Sequence, residues 1–319
     1  MTHYLNQAQE QQVHTLVCDA LRRKEWPTWL LILAVYGGWL VALYSREQLE
    51  MFPSTLLSIF CCVWYMSLQH ELLHGHPTRI TWLNKLIGYA PLAVWYPYTL
   101  YRDSHLRHHQ DDNLTYPGLD PESHYVTTEQ WQRARPALRH MYWLRKTFWG
   151  RLAIGPLMAI SVTLYDELSK MARGDFRYAP MWACHGFGLG LMLWAMERWA
   201  GIPWWYYLAC IAYPALAIAM IRSHFEHRAT AKREHRIVIN EAGFFMRLLF
   251  LNNNYHLVHH DLPHLPWYLI RTVYRANRNS YLRRCGGFWL HGYVDVARRY
   301  GFTPVDEPPH PLAPRRGAR

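Results

Sequence analysis

The chain has 319 residues, 51% of them hydrophobic, with 16 Trp, 22 Tyr and a formal net charge of +11. No Gly/Ser-rich or Pro-rich linker and no internal repeat divides it, so a single domain over 1–302 is expected. The six cysteines (Cys18, Cys61, Cys62, Cys184, Cys210 and Cys285) show no CxxC spacing, which excludes a disulfide framework and an iron–sulfur or rubredoxin-type centre. The positive charge comes with no nucleic-acid motif.

The first 25 residues are polar, with Leu16, Val17, Ala20 and Leu21 as a modest apolar face. They lack the continuous apolar core of a cleavable signal peptide and read as an interfacial helix. Four runs then follow without Asp, Glu, Lys or Arg, at 27–45, 51–69, 178–196 and 199–221. Each is long enough to cross a ~30 Å hydrocarbon core as a helix. The apolar stretch at 86–101 contains Pro91 and Pro97, and 152–165 is short, so both are expected to be interfacial or buried. From about Thr303 the tail, rich in Pro and Arg, reads as disordered.

Four spans leave two short outer loops, around Arg46 to Glu50 and Glu197 to Arg198, with only Arg46 and Arg198 among their cations. By the positive-inside rule, both termini and the remaining charge are cytoplasmic, as a collar against anionic lipid headgroups.

Histidine is the chemically telling residue. Most of the clustering among the 20 His falls in four segments: HELLH at 70–74, HLRHH at 105–109, HFEH at 224–227 and HLVHH at 256–260. Residues three or four apart share a helix face, so each of these segments aims imidazoles at one point. All four sit on the cytoplasmic side of the expected topology, where an ionisable cluster is a functional-site candidate. Imidazole suits zinc, copper, nickel and iron alike, but a zinc takes about four ligands. The three main boxes plus the 224–227 segment supply too many for one zinc and a suitable number for two irons. Nearby Glu71, Asp103, Asp111, Glu226 and Asp261 are candidates to accept the other ring N–H of a ligand. The Asn252 to Asn254 run ends a helix, and Asn254 is placed to hydrogen-bond around the metals. His76, His124, His185, His235, His264 and His291 are read as ordinary core or surface residues.

HELLHGH, HLRHH followed by DDNLTYPGLDPE, EHRA, and NNNYHLVHHDLPHLPWY resemble the integral membrane fatty-acid desaturase and alkane-hydroxylase superfamily. The likeness runs from about residue 52 to 275 in box order, box spacing and placement of spans, and is strongest to its bacterial desaturase-like branch. It implies an all-α fold: four transmembrane helices with a cytoplasmic helical cap holding a non-haem di-iron site. Carried over by position, the ligands are His70, His74, His105, His108, His109, His256, His259 and His260. The ninth is His227 rather than His224, paired with Ser223 four residues earlier.

The resemblance implies an enzyme of the bacterial inner membrane that uses O2 to oxidise unactivated C–H bonds of a lipid-like substrate. A fatty-acyl desaturase comes first; a hydroxylase or ketolase of alkanes, carotenoids or small molecules is the alternative. Such reactions need external electrons. The chain has no GxGxxG, haem-binding HPGG or cysteine metal centre, so a separate ferredoxin, rubredoxin or cytochrome is expected. Zinc can replace iron in purified protein. A remote rival is an HExxH zinc protease, with Glu71 as general base.

Overall fold

A computed structural model describes residues 6–110 and 113–312, apart from the side chains of Arg46, Glu47 and His224. Asp111 and residues 313–319 of the tail lie outside the described residues. The fold is helical nearly throughout, and the contacts divide the chain into two compact units where the sequence suggested one domain. One unit comprises 25–102 and 155–219; the other comprises the described residues of 1–24, 103–154 and 220–319.

The chain begins with α1 (Gln7–Arg22), started by a reciprocal cap in which Asn6 and Gln9 bond each other's backbone N–H at 2.9 Å. Val13, Leu16 and Val17 of α1 pack on the core of their own unit. The apolar face expected to lie on the membrane is thus turned to protein. Next come α2 (Trp26–Tyr44), α3 (Met51–Leu73), α4 (Tyr98–Gln110), α5 (Phe148–Ala172), α6 (Ala179–Ala200) and α7 (Trp204–Ser223), the last containing a π-helical stretch at Tyr207–Ala212.

Four helices are long and apolar enough to cross a membrane: α2, α3, α5 and α7. Three coincide with expected runs. The segment at 152–165, expected to be too short, belongs to the 25-residue α5. Two of the charges near its limits, Arg151 and Glu167, are buried and have partners inside the protein. Arg151 is buried with Nη2 3.0 Å from the His124 ring, and buried Glu167 accepts from Lys170 at 2.5 Å and from Trp182 at 3.2 Å. The expected run at 178–196 forms α6, whose three glycines, His185 and three tryptophans dilute its apolar character below that of the other four.

In the unit carrying most of these helices, α2 and α3 pack together across a turn at 45–50. Gly38 permits the approach, since a Cβ there would lie 3.0 Å from the Cys61 sulfur. The proline-containing stretch at 88–97 is irregular where an interfacial or buried helix was expected, and its carbonyls are satisfied by side chains. Tyr65 donates to Gly88 (2.6 Å), Gln69 to Gly88 (2.8 Å), Tyr207 to Leu92 (2.9 Å) and His185 to Val94 (2.6 Å). Non-helical backbone at membrane depth needs such partners because lipid offers none.

The second unit is built on two short parallel strands, β1 (Ile239–Asn240) and β2 (Trp289–Leu290), in register Ile239 to Trp289. Around them lie α8 (Phe244–Leu249), α9 (His256–Asp261), α10 (Trp267–Ala276), α11 (Arg278–Arg284) and α12 (Tyr293–Tyr300). Fully buried Ile239, Val258, Ile270 and Val273 form part of the core. The tail departs from its expected disorder as far as Leu312. Val126 bonds Pro308 O and His310 N bonds Val126 O, both at 3.0 Å, and His310 is buried. Proline bars this stretch from a helix but leaves its carbonyls free to pair in extended form.

Candidate metal centre

The HxxHH boxes ride on α4 and α9, both in the second unit. One turn of helix brings His105 and His109 onto a common face of α4, and His256 and His260 onto a common face of α9. Each helix also sends one histidine to the other's pair. His109 Nε2 lies 3.0 Å from Nε2 of both His105 and His259, which makes one group. In the other, His227 Nε2 is 3.0 Å from Nε2 of both His108 and His256, and His256 is 3.1 Å from His260. These four nitrogens all lie within 4.8 Å of one another. The groups abut through the stacked rings of His109 and His260, 4.3 Å apart.

Neighbouring acids decide which nitrogen carries the proton. His108 Nδ1 is 2.8 Å from Asp120 Oδ1 and His105 Nδ1 is 3.0 Å from Glu122 Oε1. His256 Nδ1 is 3.1 Å from Asn253 Oδ1 and 3.2 Å from Glu226 Oε1. A carboxylate only accepts, so Nδ1 must donate, and the Nε2 of each neutral ring keeps a bare lone pair. Those lone pairs face the other Nε2 atoms. A metal ion would resolve the crowding, since it takes several imidazole lone pairs at about 2.0–2.1 Å each and so brings their nitrogens close together. The residues fit two metal ions.

Burial, with the charge of neighbouring imidazoles, holds His109, His227, His256 and His260 well below the usual histidine range. Burial also lowers His105, although Glu122 opposes it. These rings are neutral, as ligands must be. His108 is the exception: burial works against its charge, but Glu122, Asp120 and Glu226 lift it to about 9, so its Nε2 lone pair becomes available when a metal ion displaces the proton. Glu226 is pushed up to about 7 by burial, against the pull of Arg222 2.8 Å away. Glu122 is held far below the carboxylate range by His105 and His108 despite its burial.

The other unit carries the first box at the end of α3. His70 and His74 are buried with ring centroids 4.9 Å apart, and Glu71 Oε1 lies 3.4 Å from His70 Nδ1.

Comparison with known families now decides the class: the model of the fatty acid desaturase family matches residues 47–291, most of the chain. The chain belongs to the fatty acid desaturase family. No individual curated protein matches it. The protein is accordingly a membrane-embedded, metal-binding oxidoreductase, and the zinc-protease reading of HELLH is set aside.

Several expectations for the acids around this desaturase-family centre need correction. Glu226 does reach a ligand ring. Asp261 instead makes a two-pronged pair with Arg284, at 2.6 and 2.9 Å. Asn253, not Asn254, reaches His256; Asn254 Nδ2 donates to Asn240 O at 2.5 Å and so pins the box to β1. Asp103 is half-buried on α4.

Asp120 and Glu122 were not foreseen, although they stand in the GLDPE turn just after the second box. Asp120 also accepts from Thr115 N (2.8 Å) and Glu122 N (2.9 Å), so one carboxylate folds the loop and orients the ring. His76, given no role, is buried with Nδ1 2.8 to 2.9 Å from both Glu25 oxygens.

Proposed function

We propose that the protein is a non-haem di-iron desaturase that uses O2 and external electrons to remove two hydrogens from a lipid-like substrate, a fatty-acyl chain foremost. The observation that carries this reading is the set of bare Nε2 lone pairs in two adjoining groups, with tautomers fixed by Asp120, Glu122 and Glu226. Nine histidines would hold the metals: His70, His74, His105, His108, His109, His227, His256, His259 and His260. Bound iron supplies O2 reduction and the oxidation of an unactivated C–H bond.

The chain's own residues do the rest. Asp120 and Glu122 keep the proton on Nδ1 of His108 and His105, which prevents either ring from turning its lone pair away. Burial of His105, His108, His256 and His259 keeps water from the ligand atoms. The sequence has no GxGxxG, haem-binding HPGG or CxxC motif, so a separate ferredoxin, rubredoxin or cytochrome is the proposed donor, attracted by the basic surface.

The test is protein purified without oxygen and loaded with ferrous iron. About two irons per chain, and acyl products with two hydrogens fewer formed only with O2 and a donor, are expected. One metal per chain, or product without O2 and reductant, would overturn the reading. Zinc alone in aerobically purified protein would reflect its tighter binding to nitrogen ligands.

We further propose that both termini and the second and third boxes face the cytoplasm. Two assignments of the third crossing, α5 or α6, differ only in where residues 173–178 lie. Arg173 and Arg177 place that turn inside by the positive-inside rule, so α6 crosses and α5 runs along the inner surface. Cysteine introduced at position 48 should be labelled in intact cells, and cysteine at 120 or 175 should be spared. Labelling at 175 alone with 48 would make α5 the crossing helix.

A further inference from the structure

Away from the histidines, an open groove of about 270 Å³ lies between α8 and α10 in the second unit. Phe244 and Arg247 line it from α8, and Trp267, Tyr268, Arg271 and Arg275 from α10. Arg271 and Arg275 are one helical turn apart and share a face. Asn252, just past α8, donates to Trp267 O at 3.0 Å and fixes the two sides together.

The groove is chemically unbalanced. Three guanidinium groups line it and no carboxylate does. Nearby arginines are engaged: Arg278 pairs with Glu241 at 2.7 Å and Arg284 with Asp261 at 2.6 Å. Among the described residues Arg247, Arg271 and Arg275 have no ion-pair partner, and the Nε of Arg271 is buried without an acceptor. Burying a charged donor unsatisfied is costly, and guanidinium cannot shed its proton to avoid that cost. Repulsion among three like charges adds to it.

We propose that this groove is a binding site for a phosphate monoester or diester, separate from the metal centre. Phosphate matches the forked donors of arginine and carries enough charge to offset several of them. The aromatic walls of Phe244, Trp267 and Tyr268 suit an apolar or ring-bearing neighbour of that phosphate. The volume suits a headgroup-sized molecule and is too small for a long chain. Two sources share this chemistry, a phospholipid headgroup and a soluble phosphorylated molecule. Phe244, 72% exposed, provides apolar surface at the rim for the first.

The experiment uses full-length, iron-loaded protein in uncharged detergent, with native mass spectrometry and titration of two probes: short-chain phosphatidylglycerol and pyrophosphate. One probe should bind at one site per chain. Arg271→Gln/Arg275→Gln should weaken it by about tenfold or more, as expected for lost charge-assisted bonds, while iron content stays unchanged. Tighter binding of the lipid assigns the headgroup, and tighter binding of pyrophosphate assigns the soluble class. Arg275→Gln alone, at an exposed position, guards against misfolding and should weaken binding several-fold. Failure of both probes to bind, or equal binding by wild type and the folded single variant, would overturn the proposal.

Discussion

Both units bury polar side chains, but for opposite reasons. Around 88–97, Tyr65, Gln69, Tyr207 and His185 donate to carbonyls that the prolines leave without helical partners. There the side chain serves the backbone. In the histidine-bearing unit Asp120, Glu122 and Glu226 accept from imidazoles, and the backbone of the 113–126 loop serves to hold those acids. The difference teaches that a buried polar group reads as structural or as functional according to what remains unsatisfied after it bonds. The first region leaves nothing over; the second leaves lone pairs.

The sharpest break in this comparison is removal of a lone pair. His260→Ala or His108→Ala should abolish turnover and lower bound metal by about one ion per chain, measured by elemental analysis of protein that still inserts in membranes. Full activity in either variant would dissolve the second group as a metal site.

The next effect separates two buried acids. Asp120→Asn keeps one acceptor where Asp120 uses both oxygens, on His108, Thr115 and Glu122. A loss of about 10- to 100-fold in metal affinity is expected. Asp261→Asn breaks a pair with Arg284 and touches no ligand tautomer, so stability should fall with metal affinity unchanged. Equal metal loss in both would mean that the acids act only through the fold. For Glu71→Gln a partial loss of activity is expected, since a carboxylate beside His70 does not act as the base in O2 chemistry.

A smaller effect tests the tail. His310 Nε2 lies 3.0 Å from Thr115 Oγ1, and Lys146 bonds Asp306 at 2.7 Å, so residues 305–310 brace the loop that carries Asp120 and Glu122. Ending the chain at 302 should lower metal affinity several-fold, and His310→Ala should do so less. Unchanged metal binding after truncation would make the tail a bystander.

These contrasts also mark how far sequence reasoning reaches. The histidine boxes are legible because residue type and helical spacing together fix which rings share a face. Asp120 and Glu122 are not, because their partners lie 12 and 17 residues back and the turn that closes this distance depends on Thr115, His310 and Arg236, which donates to Leu114 O at 2.7 Å. Likewise α5 is longer than its uncharged run, since Arg151 has a partner in His124, far away in sequence, and Glu167 has partners in Lys170 and Trp182. The 305–310 strap has the composition of a disordered segment, and only its pairing with Val126 gives it structure.

The smallest predicted effect lies in the region where side chains serve the backbone. Tyr65→Phe removes a buried hydroxyl that bonds Gly88 O at 2.6 Å and Ala90 O at 2.5 Å. A carbonyl left without a donor in an apolar surround costs about 1–3 kcal/mol. Gln69 still donates to Gly88 O, so the uncompensated loss falls on Ala90 and the cost should sit at the lower end. The midpoint of thermal unfolding in detergent should drop by a few degrees, with iron content and the tautomers of the histidine groups untouched. If iron content falls together with stability, the two kinds of buried polar group are coupled, and the division of labour between the regions fails.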